Sequence, residues 1–274
     1  MPTFEKMRVS LAREEDLELL SEMGDENTFV SRTEYLSASF KEPLKFVHNK
    51  SIYTFTPIDS PLGFAAGFFA RERQVELRHE DLSNYFAEDH EPSLCVISLD
   101  KAQVVWMENN SFVGDPKRVL ESFFDHLLHK TALRDWRAFV RYFERSETYW
   151  EVVHRHKSEI RKVTFKFVPP NAFEGFESAQ QFYTAIQKEA NSRSLKEIFE
   201  APPGKLKLDG PLMTASAEVA EQGAGEREVR GAKNEILYSS SQGRVTEKVP
   251  DEDMPTVQSQ GFVRRVIGRL FGDT

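Results

Sequence analysis

The sequence predicts an α+β fold: a mainly antiparallel sheet built from hairpins, with packed helices and a C-terminal amphipathic helix. Two observations carry the class. Apolar runs rich in β-branched and aromatic residues come in neighbouring pairs joined by short polar turns, as in antiparallel hairpins. Helical patterns then follow without strict strand–helix alternation, which favours α+β over a parallel α/β sheet.

The elements follow in chain order. Glu14–Met23 places Leu17, Leu19, Leu20 and Met23 along a short helix with an acidic opposite side. Ser51–Ile58 reads as a strand, and Leu62–Phe69 as its partner across Asp59-Ser60-Pro61. Gly63 and Gly67 in the second run mark a bulge or a close backbone approach. Leu94–Leu99 and Gln103–Met107 form the clearest hairpin, turning at Asp100–Ala102, and their continuous apolar character suits strands covered on both faces. Asp115-Pro116 starts a helix, an acidic cap followed by proline at the first helical position. Its apolar face is Val119, Leu120, Phe123, Phe124, Leu127 and Leu128.

Arg137–Phe143 is a strand by composition, and Ser146 caps a helix through Trp150, Val153 and His156. Glu159–Val168 is a further strand, and Glu177–Ala190 a helix. Lys205–Leu208 reads as a short strand and Leu212–Glu221 as a helix ended by Gly223-Ala224-Gly225. Arg230–Tyr238 and Arg244–Val249 are expected to pair around Ser239–Gly243. Residues 1–249 thus form an α+β region of one or two lobes, 250–261 a polar linker, and 262–274 a basic tail helix.

Composition bounds the function. The chain has 274 residues, 39% of them hydrophobic and 22 of them Phe, enough for a core without metal or disulfide support. The single cysteine, Cys95, lies in an apolar run and suits buried packing. No apolar run reaches the roughly 18–20 residues of a membrane span, and Met1–Ser10 lacks the apolar core of a secretion signal, so a cytoplasmic protein is expected. The net charge of −8 argues against a dedicated duplex-DNA binder, but the charge is uneven. Residues 1–30 hold eight acids and three bases, whereas residues 117–166 hold twelve bases and seven acids.

Within that basic segment, Arg137, Phe139, Arg141, Phe143 and Arg145 alternate at a spacing of two. On a strand they share one face, pairing guanidinium groups for phosphate with rings for base stacking. These five residues are the candidate nucleic-acid site. The alternative is that the rings are core, or that a helix aligns the arginines as a solvated stripe. His126 with His129, and His154 with His156, have spacings that can meet a metal, but no cluster completes a site and no metal is expected. Arg73 and His79 have the spacing of a ribonuclease pair, in a context that looks partly β. There is no P-loop, no nucleophile elbow and no zinc motif, so no cofactor is expected.

The tail places Phe262, Val263, Val266, Ile267, Leu270 and Phe271 on one side of a helix and Arg264, Arg265 and Arg269 on the other. It can dock on the core, enter a partner's groove or lie on an anionic membrane. Phe262, Arg264, Arg265, Ile267, Arg269, Leu270 and Phe271 are therefore the candidate partner- or membrane-binding residues.

From about Pro92 to Val168 the order of elements resembles the RexA-type phage-exclusion family and related bacterial anti-phage proteins. The shared features are the hairpin Leu94–Met107, the helix after Gly114-Asp115-Pro116, a charged strand near Arg141, and the segment Ile160, Lys162-Val163, Phe165-Lys166-Phe167. The resemblance implies an accessory bacterial defence protein that binds nucleic acid or a partner subunit. The expectation is a non-catalytic nucleic-acid- or partner-binding protein, with a second protein of the same system or a second copy of the chain as further partners. The alternatives are a nuclease or nucleotide-processing enzyme with a dispersed site, or a protein–protein adaptor.

Overall fold

The computed structural model describes residues 1–13, 36–38, 40–99, 103–130, 136–167, 194–254 and 263–272. The expected helices at 14–23 and 177–190, the turn 100–102, most of the 250–261 linker and Phe262 lie outside these residues.

The fold is α+β, and its sheets are antiparallel throughout the described pairings. The larger sheet has eight strands. Seven of them run in the order β14 (Thr246–Lys248), β1 (Thr3–Arg13), β8 (Val104–Glu108), β7 (Pro92–Ser98), β4 (Phe64–Arg71), β3 (Ser51–Ile58) and β2 (Leu44–His48). The eighth, β9 (Trp136–Tyr142), pairs with the far half of β1, from Met7 to Arg13. Both expected hairpins, β3–β4 and β7–β8, are present. Gly67 is a close-approach glycine, because a Cβ there would stand 2.2 Å from the Phe55 ring.

This sheet is covered on both faces. Alternation along β7 sends Cys95 and Ile97 to one core and Leu94 and Val96 to the other, which explains an apolar run without gaps. Helix α1 (Pro116–Lys130) covers the first face. Its Phe123 is fully buried, with the rings of Phe55 and Phe69 each 5.1 Å away and those of Phe40, Phe46 and Phe124 within 5.7 Å. Its start is as expected: the Arg118 backbone N–H donates to Asp115 Oδ1 at 3.1 Å. Helix α4 (Val263–Phe271) covers the second face, burying Val263, Val266, Ile267 and Leu270 against Phe4, Val96 and Trp106.

A second sheet runs β11 (Leu195–Glu200), β10 (Ile160–Phe167), β12 (Gly225–Gly231), β13 (Ile236–Ser239). Its inner face packs Val163, Phe165, Phe167, Val229 and Tyr238 against helices α2 (Ser146–Arg155) and α3 (Pro211–Val219). Strands β5 (Arg73–Arg78) and β6 (Asn84–Asp89) form a separate two-stranded ribbon.

Four local expectations are corrected. Lys205–Leu208 is not a strand; the fourth strand of this sheet comes from 195–200 instead. Strand β12 pairs with β13, while β14 leaves to pair with β1, so Arg230–Tyr238 and Arg244–Val249 are not partners. Helix α2 begins at Ser146 itself, and its cap, Arg145, makes no side-chain capping bond. Arg73 belongs to the ribbon, where it pairs with Asp89 and has no catalytic partner in His79, which stacks on Tyr85.

Candidate functional site

The five alternating residues divide. Arg137, Phe139 and Arg141 do share a face of β9, opposite Ala138, Val140 and Tyr142 in the first core. That face does not form an open platform. Phe139 packs on the core of the second sheet. Phe143, just past the strand, is half-buried, with Lys6 Nζ 4.6 Å from its ring centre and the Arg8 guanidinium at 5.4 Å. Arg141 is only 9% exposed; it meets Glu121 at 3.1 Å and Glu226 at 3.4 Å, and it donates to the Val140 carbonyl. Arg137 and Arg145 are exposed, and Arg145 reaches the Thr246 carbonyl at 3.5 Å. Two arginines of the row therefore face solvent, while the third holds two elements together.

Those elements frame a half-open cleft of about 470 Å³ between α1 and the outer face of the second sheet. Strand alternation builds the floor. Lys166 on β10 stands directly opposite Lys196 on β11, and opposite Glu226 on β12. The wall is the first turns of α1, contributing Lys117, Arg118 and Glu121, and the end is formed by Ser239, Ser240, Ser241 and Arg244.

Each carboxylate of the cleft already has a cation. Lys117 and Arg141 both bind Glu226, and Arg141 binds Glu121. Arg244 bridges Glu5 at 3.0 Å and Asp115 at 3.4 Å, and the Tyr142 hydroxyl donates to Asp115 at 3.2 Å. Glu228 pairs with Arg230 at 2.6 Å. Below the floor, Arg227 and Glu144 form a pair in which both side chains are 0% exposed. Arg118 and Lys196, by contrast, carry no ion pair among the described residues, and Lys166 makes none either, although its charge adds to those of Arg141 and Lys117 in lowering Glu226.

The electrostatics follow from this wiring. Burial pushes the Glu121 carboxyl above its ordinary range despite Lys117 and Arg141. Burial acts on Glu226 in the same sense, but Arg141 and Lys117 outweigh it and hold that carboxyl low. Burial, together with the charges of Glu5 and Asp115, pushes the Tyr142 phenol up. Burial likewise pushes the Cys95 thiol up, as its packing position implied.

The tail residues are placed by the second core. Ile267 and Leu270 are buried against the sheet, and Phe271 meets Phe64 with ring centres 5.0 Å apart. The apolar side named for a partner or a membrane is thus occupied by the chain's own sheet. Arg264 and Arg265 face outward, and Arg269 lies 3.7 Å from Asp253. Among the described residues, no group of three or more His, Cys, Asp or Glu could hold a metal. No helix there is long and apolar enough to cross a membrane.

Sequence reasoning missed Arg118, Lys166, Lys196 and the serine turn. One signal for Lys166 was available: Lys162, Thr164 and Lys166 alternate with Val163, Phe165 and Phe167, so the polar side of β10 was legible. Its neighbour Lys196 was not, because pairing with 195–200 leaves no local pattern. Comparison with protein-family models and with curated proteins finds no match to this chain.

Proposed function

We propose that the protein is a non-catalytic nucleic-acid-binding accessory protein of a bacterial or phage conflict system, and that the cleft takes phosphate of the nucleic acid. The observation that carries this reading is Lys166 facing Lys196 across neighbouring strands, with no carboxylate facing Lys196 in the pairing and with Glu226, on the other side of Lys166, already held by Lys117 and Arg141. Like charges directly opposite on neighbouring strands destabilise a sheet, so an anion between them relieves a standing repulsion. Arg118 adds a further cation from the wall that makes no ion pair with a carboxylate among the described residues. The conflict-system part rests on the order of elements from Pro92 to Val168. The test is fluorescence anisotropy with labelled single-stranded and duplex DNA and RNA across a salt series. Binding that weakens steeply with salt is expected, from counterion release, together with its loss in Lys166→Glu/Lys196→Glu. Binding unchanged by that double substitution overturns the assignment of the cleft.

A second reading, a nuclease or nucleotide-processing enzyme, has one observation in its favour. Glu121 and Glu226 share Arg141, yet their carboxyls are pushed in opposite directions, as an acid and a base would be. Conversion of a bound oligonucleotide to shorter products, lost in Glu121→Gln, would decide for it.

A further inference from the structure

We infer that the cleft is built for one phosphomonoester of a nucleotide, carried on a free nucleotide or on a phosphorylated strand end, rather than for continuous backbone. This deepens the nucleic-acid reading and rests on it for the nucleotide class. Three features of the cleft support it.

The first is convergence. Residues directly opposite on antiparallel strands have Cβ atoms roughly 4.5–5.5 Å apart. The ammonium groups of Lys166 and Lys196 can therefore close on the oxygens of a single phosphate. A groove that tracks a backbone spaces its cations along the strand instead.

The second is charge. The cleft is lined by six cations and four carboxylates. Two further arginines, Arg141 and Arg230, and two further carboxylates, Glu5 and Glu144, are tied directly to them. Eight cations against six carboxylates leave a surplus of two positive charges. A phosphomonoester carries about −1.5 to −2 at neutral pH, whereas each backbone diester carries one negative charge.

The third is size and hydrogen bonding. A cavity of about 470 Å³ falls in the small-ligand range rather than that of a long groove. The Ser239 and Ser241 hydroxyls, 2.7 Å apart at its end, add donors and acceptors beside Arg244 for the rest of a nucleotide.

The test uses the full chain and short single strands labelled internally, carrying a 5′-phosphate, a 3′-phosphate, free hydroxyls or a methyl-capped phosphate. A nucleoside monophosphate and inorganic phosphate serve as competitors. Binding at least about tenfold tighter for one phosphorylated end than for its hydroxyl and methyl-capped forms, lost in Lys166→Ala/Lys196→Ala, supports a strand-end ligand. Tight binding of the nucleoside monophosphate, with weak binding of every strand, supports the phosphomonoester site with a free nucleotide as its ligand and overturns the nucleic-acid reading. Equal binding of all strands with no displacement by the monophosphate overturns the inference and leaves the nucleic-acid reading standing. Displacement by inorganic phosphate as effective as by the nucleotide overturns the nucleotide part. No binding of any probe overturns both readings.

Discussion

Arg227 Nε donates to Glu144 Oε2 at 2.8 Å, with both side chains fully removed from solvent. The pair is not isolated. The Tyr238 hydroxyl donates to the same oxygen at 2.7 Å, Arg227 Nη1 donates to the Ala217 carbonyl, and the guanidinium lies 4.1 Å from the Tyr149 ring centre. Glu144 bridges to Arg244 beside the larger sheet, whereas Arg227 belongs to the smaller one, so the pair joins the two beneath the cleft. The Tyr149 phenol is pushed up to about 12, first by burial and also by Glu144, with Arg227 opposing.

Removing one partner of this pair leaves a buried charge without compensation, at a cost of about 3–5 kcal/mol. Glu144→Ala and Arg227→Ala are each expected to lose that much in urea unfolding. Replacing both by apolar residues of similar size, Glu144→Leu/Arg227→Met, is expected to cost less than either single change. A double variant as unstable as the sum of the singles would show that the pair is not acting as a unit.

The two carboxylates around Arg141 should respond oppositely to pH. Glu226 is held low in the folded state, so its contribution is present above the ordinary carboxylate range and is lost as pH falls through its folded pKa. Glu121 is raised, so the folded state binds its proton more tightly than the unfolded chain does, and ionising it costs stability as pH rises past the ordinary range. Unfolding curves at pH 7 and pH 4 should therefore show that Glu226→Gln loses more stability at pH 7 than at pH 4. Glu121→Gln should compare more favourably with the parent at pH 7 than at pH 4. Parallel pH profiles for both variants would contradict the wiring through Arg141.

The hairpin strands of the larger sheet were legible because their signals are local, whereas β1 and β2 were not read from the sequence. The runs 51–58, 64–71, 92–98 and 104–108 carry their own periodicity, and Asp115-Pro116 its own cap. Pairing between distant segments was not legible. Strand β14 looked like a partner for 230–238, yet it pairs with β1 at the other end of the chain. Composition misled at β9 for a related reason. Alternating Arg and Phe define a shared face, but not whether that face meets solvent or a second core, and Phe139 meets the core. The cleft suffered most, since Lys196, Lys166 and Arg118 come from three elements and only the fold makes them neighbours.

Helix α4 is predicted to be a structural part of the sheet's second core. Leu270 is 6% exposed and Val266 fully buried, so Leu270→Ala should cost about 2–5 kcal/mol. Arg264→Ala on the exposed side should change stability by less than about 0.5 kcal/mol. Denaturant unfolding of the two variants separates the cases. A negligible effect of Leu270→Ala would mean that the helix is undocked in solution and its apolar side free for a partner.

Lys196 supplies a test in which stability and binding move in opposite directions. A structural lysine contributes to stability, and its loss destabilises. A lysine kept for a ligand sits where it repels Lys166. Changing Lys196→Glu turns a like-charge pair into an attractive one, and cross-strand pairs of this kind are worth roughly 0.2–1 kcal/mol. The variant should therefore unfold at higher denaturant than the parent while its affinity for phosphate-bearing strands drops by about tenfold or more. Lys196→Gln should fall between the two in both properties, since it removes the repulsion without adding an attraction. A destabilised Lys196→Glu with unchanged affinity would place Lys196 among the fold's supports and take the cleft out of the binding surface.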